Sequence, residues 1–75
     1  MSLDEAIEWA EREGFYWAIG RDRSDGYSAA CSRKGEYIGD DLSGPGVCSG
    51  STPAEALEDA VRSELAYEAK KLAAP

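Results

Sequence analysis

The sequence predicts an α+β domain in the order α-β-β-β-α: a three-stranded antiparallel meander with two helices packed on one face. Three observations predict it. Apolar residues recur at helical spacing in both terminal segments, the period drops to two between Phe15 and Ser32, and turn signals separate the short strands. With 75 residues, the chain forms one domain, residues 1–75, near the size where a single core only just suffices. Many of its apolar residues are alanine. Two tryptophans, four tyrosines and one phenylalanine are therefore expected to carry much of the burial.

Ser2 is a good N-cap, and Glu5, three residues on, completes a capping box. Leu3, Ala6, Ile7 and Ala10 form a narrow apolar stripe, Glu8 and Arg12 can meet at i,i+4, and Gly14 suits C′. The first helix is thus expected over residues 3–13. From Phe15, alternation places Phe15, Trp17 and Ile19 on one side and Tyr16, Ala18 and Gly20 on the other. Asp25-Gly26 is the turn signal before a second strand, in which Tyr27, Ala29 and Cys31 alternate with Ser28, Ala30 and Ser32. Arg33-Lys34-Gly35 makes a further turn, and Glu36-Tyr37-Ile38-Gly39 reads as the third strand, with sheet order 1-2-3. Asp40-Asp41 and Gly44-Pro45-Gly46 oppose regular structure, and Val47-Cys48-Ser49 reads as a short fourth edge strand or a segment crossing the sheet.

The second helix opens clearly. Thr52 is the expected N-cap, Pro53 sits at N1, and Glu55 is the N3 partner of a capping box. Ala54, Leu57, Val61 and Leu65, with Ala60 close by, line one face as far as about Leu72, and Glu58 and Arg62 pair on the exposed side. With Phe15, Trp17, Ile19, Tyr27, Ala29 and Cys31 as the core face, Tyr16 and Ala18 lie on its back. The back is then bare, covered by a partner, or covered by residues 40–51. An aromatic such as Tyr16 on an otherwise polar sheet face is an interface candidate.

Eight basic and fifteen acidic side chains, with no histidine, give a formal charge of -7. Such a surface repels a phosphate backbone, so direct nucleic-acid binding is not expected. Arg21, Arg23, Arg33 and Lys34 sit on two turns at opposite ends of the meander and do not combine into a patch. The acids do gather: Asp4, Glu5, Glu8 and Glu11 on the outside of helix one, and Glu55, Glu58, Asp59, Glu64 and Glu68 along helix two. A field of that kind speeds encounter with a basic protein and sets its orientation.

Catalytic signals are weak. Asp40 and Asp41 are the best-paired carboxylates, but adjacent acids in a loop read as a solvated bend before an acid–base pair. Cys48 lies four residues before the second helix cap, yet there is no histidine to serve as its base; Cys31 has core spacing. Two cysteines without histidine make a poor zinc set, so no metal is expected. Gly44, Gly46 and Gly50 match neither phosphate-binding glycine pattern, so no cofactor is expected. No secretory leader or membrane-length apolar run is present in the sequence, which predicts a cytoplasmic protein with reduced thiols.

Asp25-Gly26-Tyr27, with Gly26-Tyr27-Ser28-Ala29-Ala30, and the run Gly46 to Leu57, above all Thr52 to Leu57, carry a family resemblance. Over roughly residues 15–67 the chain resembles the HicB-like antitoxin domain. It departs from that pattern in its added first helix and in the lack of a following ribbon-helix-helix or helix-turn-helix segment. Its layout is equally similar to small bacteriophage α-β-β-β-α proteins, a group whose short acidic members include inhibitors of host defence nucleases. The resemblance implies binding and inhibition and transfers no site residue.

The expected function is a non-enzymatic acidic protein-binding module, inhibitory as an antitoxin or phage counter-defence protein that imitates nucleic-acid charge. The alternative is a structural or homo-oligomerising small phage or bacterial protein with no inhibitory role. Candidate partner-binding residues are Tyr16, Asp40, Asp41, Glu55, Glu58, Asp59, Glu64 and Glu68. The partner is expected to be another protein with a basic surface, with a homodimer as a further expectation and no membrane contact. The compartment would be the bacterial cytoplasm, or that of the bacterial host for a phage protein.

Overall fold

A computed structural model describes residues 1–21, 26–33 and 47–73. Its elements are α1 (Leu3–Arg12), β1 (Tyr16–Arg21), β2 (Tyr27–Ser32), β3 (Cys48–Gly50) and α2 (Pro53–Ala73). The strands form one antiparallel sheet in the order β1-β2-β3. The order α-β-β-β-α is therefore the one the sequence predicts, and β3 falls on the segment read as a short edge strand around Val47-Cys48-Ser49. The expected strand at 36–39 lies outside the described residues, and the edge beyond β2 is occupied by Cys48–Gly50.

α1 is bounded by two complete local devices. At its start the Glu5 N–H donates to Ser2 Oγ at 3.2 Å and the Ser2 N–H to Glu5 Oε1 at 3.3 Å, a reciprocal capping box. At its end Gly14, at φ 81°, takes the left-handed conformation that lets the chain turn away. The Gly14 N–H donates to the Glu11 carbonyl and the Phe15 N–H to the Ala10 carbonyl, the two bonds of a Schellman motif. Phe15 and Ala10, which flank that turn, are both buried, so the cap also joins helix to core. The Glu8–Arg12 pair allowed by spacing is not among the ion pairs of the described residues.

The strand register sets the two faces. Trp17 faces Cys31, Ile19 faces Ala29, and Ala29 in turn faces Cys48. Directly opposed residues share a face, so these side chains lie together. They meet Ala6 and Ala10 of α1 and Ala56, Leu57, Ala60 and Val61 of α2 in one hydrophobic cluster, with Phe15, Ile7, Trp9, Tyr27 and Leu65 completing it. Leu57 and Val61 are the largest side chains that are wholly buried. The rest of the deep core is largely alanine, which brings helix and sheet backbones close together.

Tyr16, Ala18, Gly20, Ser28, Ala30, Ser32 and Ser49 lie on the reverse face. Tyr16 is 64% exposed there, whereas Ala30 and Ser32 are buried, so this face is not uniformly bare. No helix among the described residues is long and apolar enough to cross a membrane.

Candidate functional site

α2 begins on a tight local network. The Glu55 N–H donates to Thr52 Oγ1 at 3.1 Å, placing Thr52 as the N-cap. The Glu55 carboxylate does not complete the expected box with the Thr52 N–H. It accepts from the Ser51 N–H at 3.2 Å and from the Ser51 hydroxyl at 2.6 Å, which pulls the turn tight against the helix. These bonds hold the Glu55 carboxyl below its ordinary pKa, the Ser51 hydroxyl contributing most. Glu55 is thus at once an exposed negative charge and part of the helix start.

Further along α2, Arg62 binds Glu58 one turn earlier through Nη2 and lies 3.6 Å from Asp59 through Nη1. The two acids and one arginine leave a single residual negative charge at this point. Glu64 is half-buried and lies near enough to Cys31 to affect its thiol. Glu68 accepts two bonds from one guanidinium, that of Arg33, one from Nε and one from Nη2 at 2.8 Å. Asp40 and Asp41 lie outside the described residues. The structure therefore brings Glu58 and Asp59 together around Arg62, sets Glu68 on Arg33, and places Tyr16 at the Arg33 end of β1, opposite Ser32.

Arg33 is the organising residue that sequence reasoning passed over as one member of a basic cluster. Its Nη1 donates to the Glu13 carbonyl at the C-terminal end of α1, and its guanidinium lies 4.4 Å from the centre of the Phe15 ring. One side chain thereby satisfies a helix-end carbonyl, stacks on a core aromatic and grips a carboxylate of α2. Arg21 stands over Tyr27 at 6.0 Å, at the opposite end of the β1–β2 ladder, so the two arginines do not form one patch. A shallow depression of about 500 Å³ opens beside Arg33 and is lined by Glu11, Gly14, Phe15, Tyr16 and Trp17.

The bonds from Arg33, followed by its charge, hold the Glu68 carboxyl below its ordinary pKa of 4.5. A carboxylate with a depressed folded-state pKa adds stability that is complete above its unfolded value and lost as pH falls through the folded one. Arg33→Gln is therefore expected to lower the melting temperature at pH 7 and to narrow that deficit progressively below pH 4.5. Thermal melts of both chains over an acid series check this; a deficit unchanged by pH would leave only the Phe15 and Glu13 contacts as its source.

The cysteines occupy different surroundings. Burial, then Glu64, Cys48 and Glu68, push the Cys31 thiol up to about 12, with Arg33 opposing. A thiol so held is a packing group. Cys48 is half-buried with its Sγ 3.5 Å from Ser63 Oγ, in a second depression of about 420 Å³ lined also by Ser49, Asp59, Arg62 and Ala66. The two charged groups at that rim, Asp59 and Arg62, lie 3.6 Å from one another. No cluster of three metal-ligating side chains occurs among the described residues.

No family model matches this chain, and no curated protein or solved structure matches it at a significant level.

Proposed function

We propose that the protein is a non-enzymatic, acidic protein-binding module that inhibits a partner by occupying a basic, nucleic-acid-like binding surface. The observation that carries this reading is the division of charge between the helices. On α2, Glu58, Asp59 and Glu68 are engaged by Arg62 and Arg33. On α1, Asp4, Glu8 and Glu11 are exposed and belong to no ion pair among the described residues. Unpaired surface carboxylates set the long-range field, because a paired acid is already partly neutralised.

The shared hydrophobic cluster supports placing both helices on one face of the sheet. In that arrangement Glu55 and Glu64, which belong to no ion pair among the described residues, extend the field of α1. The antitoxin and phage counter-defence readings both follow from this chemistry, since each requires an acidic surface that competes with nucleic acid. The paired acids of α2 would then contribute less to encounter than Asp4, Glu8 and Glu11.

The test is capture from a bacterial lysate with the native chain and with an Asp4→Asn, Glu8→Gln, Glu11→Gln triple variant. The native chain is expected to retain a basic protein at low salt and less of it at moderate salt. The triple variant is expected to lose it, and titration of the native chain is expected to reduce that protein's binding to nucleic acid. Equal capture by both chains, or no capture at either salt, overturns the proposal.

A further inference from the structure

β1 forms one edge of the sheet, paired with β2 on its inner side and with no strand on its outer side among the described residues. Its sequence is Tyr16-Trp17-Ala18-Ile19-Gly20-Arg21. An edge of this length presents a row of N–H and C=O groups to any incoming strand. Proteins that keep such an edge single usually blunt it with proline, a bulge or an inward charge. β1 has no proline and no charge before its last residue, and its two-sided apolar character makes it a better template than β3, which is three residues long.

We propose that β1 pairs antiparallel with the β1 of a second copy about a two-fold axis at Ala18, joining the two sheets into one. The pairing is self-complementary. A two-fold axis normal to the sheet keeps the core faces on one side, so only registers that oppose residues of the same face are allowed. With the axis at Ala18, Trp17 faces the partner's Ile19 and Tyr16 faces the partner's Gly20. The first is an aromatic–β-branched pair, a favourable cross-strand combination. The second lays a ring over the bare backbone of a strand glycine, a recognised way of repairing an edge.

The same register places the partner's Arg21 opposite Phe15, at the mouth of the depression where Glu11 is exposed. A basic residue of one copy thereby stands beside the depression that Glu11 lines in the other, at both ends of the paired strands. Moving the axis to Ile19 sets Trp17 against Arg21 and Ala18 against Gly20, and forms none of these combinations. The exposure of Tyr16 and the partial exposure of Trp17 and Ile19 are what an uncovered pairing edge would show.

Apart from Glu11 at its rim, this surface is separate from the carboxylates of α1, and its salt response has the opposite sign. Two copies each of charge -7 repel, so added salt is expected to tighten the dimer while it weakens capture of a basic partner. The experiment is sedimentation of the native chain over its full soluble concentration range at low and moderate salt, alongside Tyr16→Lys and Ala18→Cys. The native chain is expected to dimerise, and Tyr16→Lys, altered at an exposed position, to raise the dissociation constant at least about tenfold. Under mild oxidation Ala18→Cys is expected to form a disulfide-linked dimer at least about tenfold faster than the native chain or Tyr16→Cys. A native chain that stays monomeric throughout, a dimer indifferent to Tyr16→Lys, or crosslinking no faster at position 18 than at position 16 overturns the proposal.

Discussion

Leu57→Ala is expected to lower the unfolding free energy by about 2–5 kcal/mol, a large share of the roughly 5–15 kcal/mol that holds a small domain together. Leu57 has no exposed surface, and among the described residues Val61 is the only other large side chain so completely enclosed. The surroundings make the loss hard to repair. Ala6, Ala10, Ala29, Ala56 and Ala60 share the cluster, and an alanine has no rotamer that can swing into a cavity. Collapse would need a shift of helix or strand backbone, which the Schellman cap and the β1–β2 ladder resist. The melting temperature should fall by more than about 10 °C, whereas Leu72→Ala, at a position 88% exposed, should change stability by less than about 0.5 kcal/mol. Urea and thermal unfolding followed by circular dichroism compare the two. A Leu57→Ala chain as stable as Leu72→Ala would mean that the core is centred elsewhere.

Most of the local structure was legible because its causes are local. Ser2 with Glu5, Gly14 after the last turn, and Thr52-Pro53 before the second helix each act over a few residues, and each is found in its expected role. Alternation from Phe15 to Ser32 likewise placed Trp17, Ile19, Ala29 and Cys31 on the core side. The third strand was harder. Cys48–Gly50 is too short to display a period, and its partners Tyr27, Ser28 and Ala29 are distant in sequence. The acids of α2 could be counted from sequence, but their availability could not. Glu58–Arg62 is visible as an i,i+4 pair, while Glu68 and Arg33 are 35 positions apart and meet only because β2 ends beside α2. A basic residue one position past a strand, opposite a helix end, carries no distinctive sequence signal. The same long-range contact moves the free negative charge from α2 toward α1.

Gly50→Ala is expected to be strongly disruptive, because of the described glycines Gly50 leaves the least room for an added methyl. A Cβ at Gly50 would lie 2.6 Å from the Ala56 nitrogen, 2.9 Å from Glu55 Cβ and 3.0 Å from the Glu55 carbonyl carbon. Gly14 is the glycine that needs a positive φ; at Gly50 the constraint is space. None of the three atoms belongs to a flexible side-chain end, so relief must come from moving the backbone of β3 or the first turn of α2. Either movement has further consequences. β3 is held to Tyr27 through Gly50 itself, and the first turn is held by Ser51 and Thr52 to Glu55. Overpacking at such a site costs typically about 1–3 kcal/mol, and here the loss of a strand pair or a cap adds to it. Amide exchange should therefore quicken at Cys48–Gly50 and at the residues opposite them, in addition to a lower melting temperature. Gly26→Ala, whose Cβ would meet only the Gly50 carbonyl oxygen at 3.1 Å, should be milder. If Gly50→Ala melts with the native chain and its β3 amides exchange no faster, the close approach of strand and helix is not what fixes β3 at the edge of the sheet.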